Sequence, residues 1–162
     1  MIERSLVLLK PDAVKRGLSG RIIQRFEDAG FKVVGVKMVW VDENLARQHY
    51  FDLAERRGEK VLQVILKFIT SGPVLALCLE GINAVENIRK MVGATEPKGA
   101  QPGTIRGDFA HISYADADQQ DKAIENLIHA SGNVQEAEKE IALWFKAHEL
   151  HTYKSVHEAH TF

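Results

Sequence analysis

The sequence predicts one domain of mixed α and β structure, an α/β-type sandwich, from three observations. About four short, β-rich apolar runs are spread along the chain. Helical apolar spacing fills the segments between them, and some connections are long enough for crossover helices. With 162 residues, 45% of them apolar, the chain is long enough to bury a core and too apolar for extensive disorder. This pattern leaves the strand order open.

Taken in order, Ser5 to Leu9 is a short apolar run, and Lys10-Pro11-Asp12 ends it. Proline cannot donate to a sheet ladder, so the strand stops there and Lys10 is exposed. Leu18, Ile22, Ile23 and Phe26 follow at helical spacing, with Gly30 as the C-terminal stop. Val33 to Val41 alternates through Val34, Val36, Met38 and Trp40, which predicts a strand with that face buried. Asp42 is placed to cap a helix containing Leu45, His49, Tyr50 and Leu53. A further helix covers about Lys60 to Thr70, apolar nearly all round, and Ser71-Gly72-Pro73 ends it. Val74 to Leu79 is the continuous apolar run of a central strand, and Ala84, Val85, Ile88, Met91 and Val92 outline the next helix. The long segment from Gly93 to Asp121, with Pro97, Pro102 and three further glycines, reads as a functional loop. Ile124 to Ile128 is a last strand. Asn133 and Glu136 resemble a capping box that opens a helix with Ala137, Ile141, Trp144 and Phe145 inward. From Glu149 the chain is polar and histidine-rich, and a solvated tail is expected; paired spacings at His148/His151 and His157/His160 are the weaker case for a metal.

Composition narrows the function. A formal charge of −1 and the lack of a basic, aromatic stripe argue against a nucleic-acid binder, so any basic patch is local. The single cysteine, Cys78, lies inside an apolar run and reads as a buried hydrophobe in a reducing compartment. Met1-Ile2-Glu3-Arg4 lacks the layout of a signal peptide, and no apolar stretch approaches a membrane span of ~20 residues. The expected location is the cytoplasm.

Familiar nucleotide motifs are absent. Gly30 and Gly35 have phosphate-loop spacing, but Val36 follows where lysine is required. Asn126 to Ser131 instead joins a strand to a capped helix, a junction suited to phosphate. Within it His129 is a candidate nucleophile, because histidine with its ordinary pKa of ~6.5 is largely neutral near neutral pH. One ring nitrogen attacks while the other needs an acceptor, for which Glu140 is available. Taken alone, one histidine of seven is a poor choice. Arg89, Thr95 and the run Pro102 to Asp108 change the weighting, since arginine forks match phosphate oxygens and threonine adds a hydroxyl. Solvated arginines, or arginines paired with Glu96 and Asp108, are the competing explanation.

The segments occur in a fixed order: Lys10-Pro11-Asp12-Ala13-Val14, Arg16-Gly17-Leu18, Ser71-Gly72-Pro73-Val74, Val92-Gly93-Ala94-Thr95, Pro102 to Asp108, Asn126 to Ser131, and Ala137-Glu138-Lys139-Glu140-Ile141. This series resembles the nucleoside diphosphate kinase family from about Glu3 to Phe145. The resemblance implies an α+β fold with a ferredoxin-like four-stranded antiparallel sheet (βαββαβ), helices on one face and additions. That replaces the lean toward parallel crossovers. A kinase domain over 1–148 is expected, with 149–162 as a polar extension of it.

By the same resemblance, the terminal phosphate passes from a nucleoside triphosphate such as ATP to a diphosphate by a ping-pong route, carried on His129. Lys10 and Asn126 match sugar-binding positions, Lys10 also reaching the phosphates, which Arg89, Thr95 and Arg106 hold. Tyr50 and Glu140 flank and orient the histidine, supported by Ser131. Magnesium rides on the β- and γ-phosphates with no protein cage. Relatives with such a tail commonly form hexamers, so a homo-oligomer is expected, hexamer before tetramer. Retention of the nucleophile argues against a pure nucleotide-binding module. Three departures stand out. Gly132 replaces an aspartate common in relatives. Arg56 to Lys60 is inserted near a segment whose phenylalanine stacks on the base, leaving Val61 and Leu62 as approximate counterparts. Ala110 to Lys122 is longer than usual. Lost stacking implies weak discrimination among bases.

Overall fold

Residues 1–162 are described in a computed structural model. Its strands β1 (Ile2–Leu9), β2 (Lys32–Trp40), β3 (Pro73–Ile82) and β4 (Ile128–Ala130) form one sheet in the order β2-β3-β1-β4. Every pairing is antiparallel, with β1 and β3 in register from Ile2 opposite Ile82 to Leu9 opposite Leu75. The ferredoxin-like expectation holds, and the lean toward a parallel sheet does not. The ambiguity has a physical cause: a continuous apolar run reports burial on both faces, which an antiparallel sheet covered on two sides shares with a parallel one.

One face of the sheet, through Val7, Leu9, Leu77 and Leu79, packs on Ile22 and Phe26 of α2 (Ser19–Asp28), Ile88 and Val92 of α6 (Ala84–Val92) and Ile105 of α7 (Ile105–Phe109). The other face, through Leu6, Leu8, Ala76 and Cys78, packs on α3 (Glu43–His49), α4 (Leu53–Arg57), α5 (Glu59–Ile69) and α9 (Val134–Trp144). Helices therefore cover both faces. Burial pushes the Cys78 thiol up to about 12, so it is the inert hydrophobe its sequence context suggests. Local signals explain the helix ends. Pro11 opens α1 (Pro11–Lys15) at the first helical position, where a missing N–H costs nothing, and the Asp42 carboxylate accepts the Leu45 N–H at 2.8 Å. No helix is long and apolar enough to cross a membrane.

Four expectations are corrected. In β2 the face carrying Val36, Met38 and Trp40 is outward, with 55%, 61% and 69% exposure, although Val34 is buried. A register shift between Val33 and Gly35 turns the alternation over, and β2 is an edge strand. The last strand is Ile128–Ala130 and not 124–128, because Leu127 adopts a left-handed φ of 71° and no strand precedes it. The segment 93–121 is built from short elements, a 3-10 turn at Pro97–Gly99, α7, and α8 (Tyr114–Gln119). Thr104 and Ser113 cap α7 and α8, which are too short to display apolar periodicity.

The tail is the fourth correction: its side chains are mostly exposed as expected, its histidines included, but its backbone is docked on β2. The His151 N–H donates to the Val34 carbonyl at 2.7 Å and the Tyr153 hydroxyl to the Val33 carbonyl at 2.8 Å. Lys32, only 8% exposed, anchors the rest: its ammonium lies 2.6 Å from Glu158 and 3.0 Å from Glu80, and donates to the Tyr153 carbonyl. The hydrogen bond to Glu158, followed by that to Glu80, raises the Lys32 pKa against the opposing effect of burial. The chain closes with α10 (Glu158–Thr161).

Removing Lys32 takes the ion pair from Glu158 and leaves Glu80 with Arg4 alone. Lys32→Met is expected to lower the urea midpoint of unfolding and to open 151–162 to limited proteolysis. An unchanged urea midpoint together with an uncut tail counts against the anchor.

Candidate active site

His129 is the middle residue of β4, opposite Leu8 of β1, and not at a strand-to-helix junction as its spacing suggested. Its Nε2 lies 2.9 Å from Glu140 Oε1. The second carboxylate oxygen accepts a hydrogen bond from the Ser131 hydroxyl at 2.5 Å, and that hydroxyl accepts the Leu6 N–H of β1 at 3.2 Å. Glu140 reaches this position because α9 starts at a fixed point. Asn133 caps it by accepting the Glu136 N–H at 2.8 Å, while Glu136 reaches back to the Gly132 N–H.

Burial works to raise the Glu140 pKa, but the hydrogen bond and charge of His129 and the bond from Ser131 together hold it below the usual carboxylate range. An ionised carboxylate only accepts, so Nε2 carries the ring proton and Nδ1 keeps its lone pair. A neighbour absent from the sequence-derived set packs against this ring. The buried His49 ring meets His129 edge-on, with centroids 4.6 Å apart, and its Nδ1 accepts the Trp144 indole N–H at 3.2 Å. Burial, and then the charge of His129, drive the His49 pKa down to about 3, so His49 is a neutral partner. His49, His129 and Glu140 have the closeness of a metal cluster, with ligand atoms within 4.8 Å. The hydrogen bonds to Trp144 and between His129 and Glu140 already occupy one ring nitrogen of each histidine. Tyr50, next in sequence to His49, lines the adjacent cavity, and burial, then Glu140, raise its phenol pKa so that it stays protonated.

The second group gathers around the left-handed residue Leu127. Lys10 follows β1, and its ammonium donates to Asn126 Oδ1 at 2.7 Å, while Asn126 Nδ2 donates to the Thr95 carbonyl at 2.8 Å. Arg106 is buried, and its guanidinium donates to the carbonyls of Asn126 (3.1 Å), Gly93 (3.1 Å) and Ile128 (2.6 Å). An arginine has five N–H donors, so Arg106 builds the site and still has donors to offer. Arg89 is exposed on α6 with no ion pair, and it is close enough to depress Arg106. Burial lowers Lys10 to about 8, with the charge of Arg106 adding to it and Asp12 opposing. Burial also lowers Arg106 to about 10. The pairing alternative for the arginines fails, since Asp108 pairs with Arg25 at 2.8 Å and Glu96 accepts the Tyr114 N–H at 2.8 Å, while Arg89 is solvated as the other alternative has it.

Asp12 was legible only as part of a motif. Its Oδ2 accepts the Leu127 N–H at 2.9 Å, its Oδ1 is buried without a partner, and burial raises its pKa despite Lys10. The committed cations thus outnumber free carboxylates, which is the electrostatics of an anion site. Beside it opens a cavity of about 290 Å³, with Lys10, Thr95 and Asn126 at one end and Val61, Val64 and Ile65 along α5. Leu62, the other counterpart considered for base contact, is buried in the core.

Comparison with known proteins assigns the chain to a family. The sequence model of the family described as nucleoside diphosphate kinase matches residues 3–150. A nucleoside diphosphate kinase of Pyrococcus furiosus is 49% identical over 94% of this chain and 88% of its own. The solved nucleoside-diphosphate kinase of Borrelia burgdorferi, a transition state mimic with bound vanadate and ADP, superposes with a TM-score of 0.96. It is 44% identical and covers 99% of this chain and 96% of its own. The halophilic enzyme of Halobacterium salinarum, in complex with CDP, reaches a TM-score of 0.85 at 40% identity, covering 98% of this chain and 97% of its own. The chain belongs to the nucleoside diphosphate kinase family and is a kinase by that membership.

Proposed function

We propose that this enzyme moves the terminal phosphate from a nucleoside triphosphate, ATP among them, to a nucleoside diphosphate by a reversible ping-pong route through a phosphohistidine at His129. The observation that carries this reading is the 2.9 Å contact between His129 Nε2 and Glu140, which leaves the lone pair on Nδ1. That lone pair attacks the γ-phosphorus. The bond from phosphorus to the β–γ bridging oxygen breaks, and the diphosphate leaves with that electron pair. A terminal oxygen of the acceptor diphosphate then attacks the phosphohistidine and regenerates free Nδ1. Throughout, the Nε2 proton stays in place and Glu140 balances the charge that grows on the ring.

Phosphoryl transfer needs positioning and charge neutralisation more than covalent assistance. Arg89, Arg106 and Thr95 hold the phosphates, while Lys10 spans the sugar and the phosphates with Asn126 beside it. Tyr50 flanks the histidine, and Ser131 fixes Glu140 against β1. The carboxylates among these groups are committed, Asp12 to Leu127 and Glu140 to His129 and Ser131. Such a donor set suits Mg2+ carried on the β- and γ-phosphates with water in its shell, and when bound the ion neutralises phosphate charge. The nucleotides named for the Borrelia burgdorferi and Halobacterium salinarum proteins, ADP and CDP, support a site that accepts both base classes.

Assembly into a homo-oligomer is part of the same proposal, hexamer before tetramer. Its support is the row Val36, Met38 and Trp40, exposed along β2 at the free edge of the sheet. An exposed apolar edge strand is otherwise an aggregation liability, and pairing removes it.

Three measurements test the proposal. After mixing with ATP and magnesium and removal of nucleotide, the protein is expected to carry an acid-labile, base-stable phosphate. His129→Ala is expected to lose both the adduct and transfer to a diphosphate, and turnover by that variant rules the mechanism out. Lys10 has a free-state pKa of about 8 and binds phosphate only when charged. Bound phosphate favours that charged form, so affinity is full below pH 8 and falls by up to tenfold per unit above it, as kcat/KM. Lys10→Arg is expected to remove this alkaline limb; a limb that persists assigns it to another group. Finally, Met38→Glu is expected to shift sedimentation toward smaller species with the far-ultraviolet spectrum retained, and an unaltered sedimentation profile removes the β2 edge from the interface.

A further inference from the structure

The wall of the cavity facing α5 is formed by the segment 110–122, whose helix α8 brings Tyr114 into the space shared with Lys10, Thr95 and Asn126. Three ties hold this residue in place. Ser113 and Asp116 make a reciprocal capping box, the Tyr114 N–H donates to Glu96 at 2.8 Å, and the Lys98 N–H donates to the Ile112 carbonyl at 3.1 Å. The side chain is less committed. Tyr114 is half-buried, belongs to neither core cluster, and its hydroxyl makes no hydrogen bond within the protein. Its one aromatic-face partner is Arg57 of α4, whose guanidinium carbon lies 5.5 Å from the ring centroid.

Arg57 and Lys60 belong to the inserted stretch 56–60, so the two segments that set this chain apart meet across the cavity. Lys60 reaches Asp121 at 3.1 Å, but both are at least 80% exposed and the pair contributes little. The Arg57–Tyr114 contact is of another kind, because two planar groups meet at a π-face next to an apolar wall of Val61, Val64 and Ile65. The cavity therefore has a cationic end and a flat, apolar end with an aromatic ring.

Resting on the nucleotide-kinase reading of the cationic end, we propose that Tyr114 is the stacking surface for the nucleobase, opposite Val61, with Arg57 steadying the ring from the mouth. Phe68 of α5 also lines the cavity, and the aromatic contact missing at Val61 is supplied from α8. A tyrosine face reads no base edge, so purines and pyrimidines are all accepted, with purines held more firmly through their larger overlap.

The test compares Tyr114→Ala, Tyr114→Leu and Tyr114→Phe with the parent protein by titration calorimetry. The probes are ADP, CDP and base-free tripolyphosphate, and phosphoenzyme formation from ATP is followed in the parent. The alanine variant is expected to bind ADP about tenfold more weakly and tripolyphosphate unchanged, with the kinetic loss in KM and not in kcat. Phenylalanine is expected to retain parental binding, and leucine to lose at least threefold for ADP; should the alanine variant fail to fold, the leucine variant decides. Parental ADP binding by the alanine and leucine variants overturns the proposal, as does an equal loss for tripolyphosphate, which assigns Tyr114 to the phosphate end near Arg106. A parent protein that forms no phosphohistidine defeats the kinase reading, while the contrast between ADP and tripolyphosphate still judges Tyr114.

Discussion

The left-handed turn at Leu127 is the constraint around which the site is built. A leucine at φ 71° costs about 1–2 kcal/mol, and it persists because its surroundings over-determine it. Asp12 takes its N–H, Lys10 donates its own backbone N–H to the Leu127 carbonyl, and Arg106 claims the carbonyls on both sides, at Asn126 and Ile128. Side chains proposed to meet phosphate thus also shape the turn. The turn in turn sets where β4 begins, and β4 carries His129 beside Leu8. The proposed phosphate grips and the proposed nucleophile are linked through one left-handed residue.

That arrangement has an energetic cost in the free protein. Lys10, Arg106 and Arg89 are gathered without a free counter-charge, and burial together with mutual repulsion depresses Lys10 to about 8 and Arg106 to about 10. Asp12 keeps one buried oxygen unpaired. The cationic cost is one that the proposed polyanionic ligand offsets by supplying negative charge, whereas the Asp12 oxygen lacks a donor and gains nothing from an anion. The core carries this burden: Leu6 to Leu9 are fully buried against helices on both sides, and β1 supplies the fixed reference for Ser131, Lys10 and His129.

Local chemistry in the sequence was legible where one residue decides the outcome. Pro11 after Lys10 ends β1 by lacking an N–H, Asp42 and Asn133 cap α3 and α9 with short acceptors, and Cys78 lies in a run too apolar to be exposed. Most of the candidate site was legible too, but only as an ordered set of motifs. Lys10, Arg106, Asn126, His129, Ser131 and Glu140 do converge, whereas Arg89 touches the set through charge alone. His49 was read as part of a helix face, because nothing local marks a histidine whose partners, Trp144 and His129, lie on a different helix and a strand.

By itself, the sequence determined the mixed composition of the fold, the end of β1 and the caps of α3 and α9, and it supplied the candidate nucleophile with its candidate phosphate grips. Those follow from steric and hydrogen-bonding rules acting within a few residues, or from a motif series whose order is specific. Only the tertiary structure decided which way β2 faces, since one bulge near Gly35 inverts the alternation from Val36 onward and sends its apolar row outward. It decided that the tail is fastened, because the partners of Lys32 lie on β3 and α10. It also decided the tautomer of His129. A ring nitrogen is set by what stands next to it, and Glu140 comes to stand there through the packing of α9 on β1.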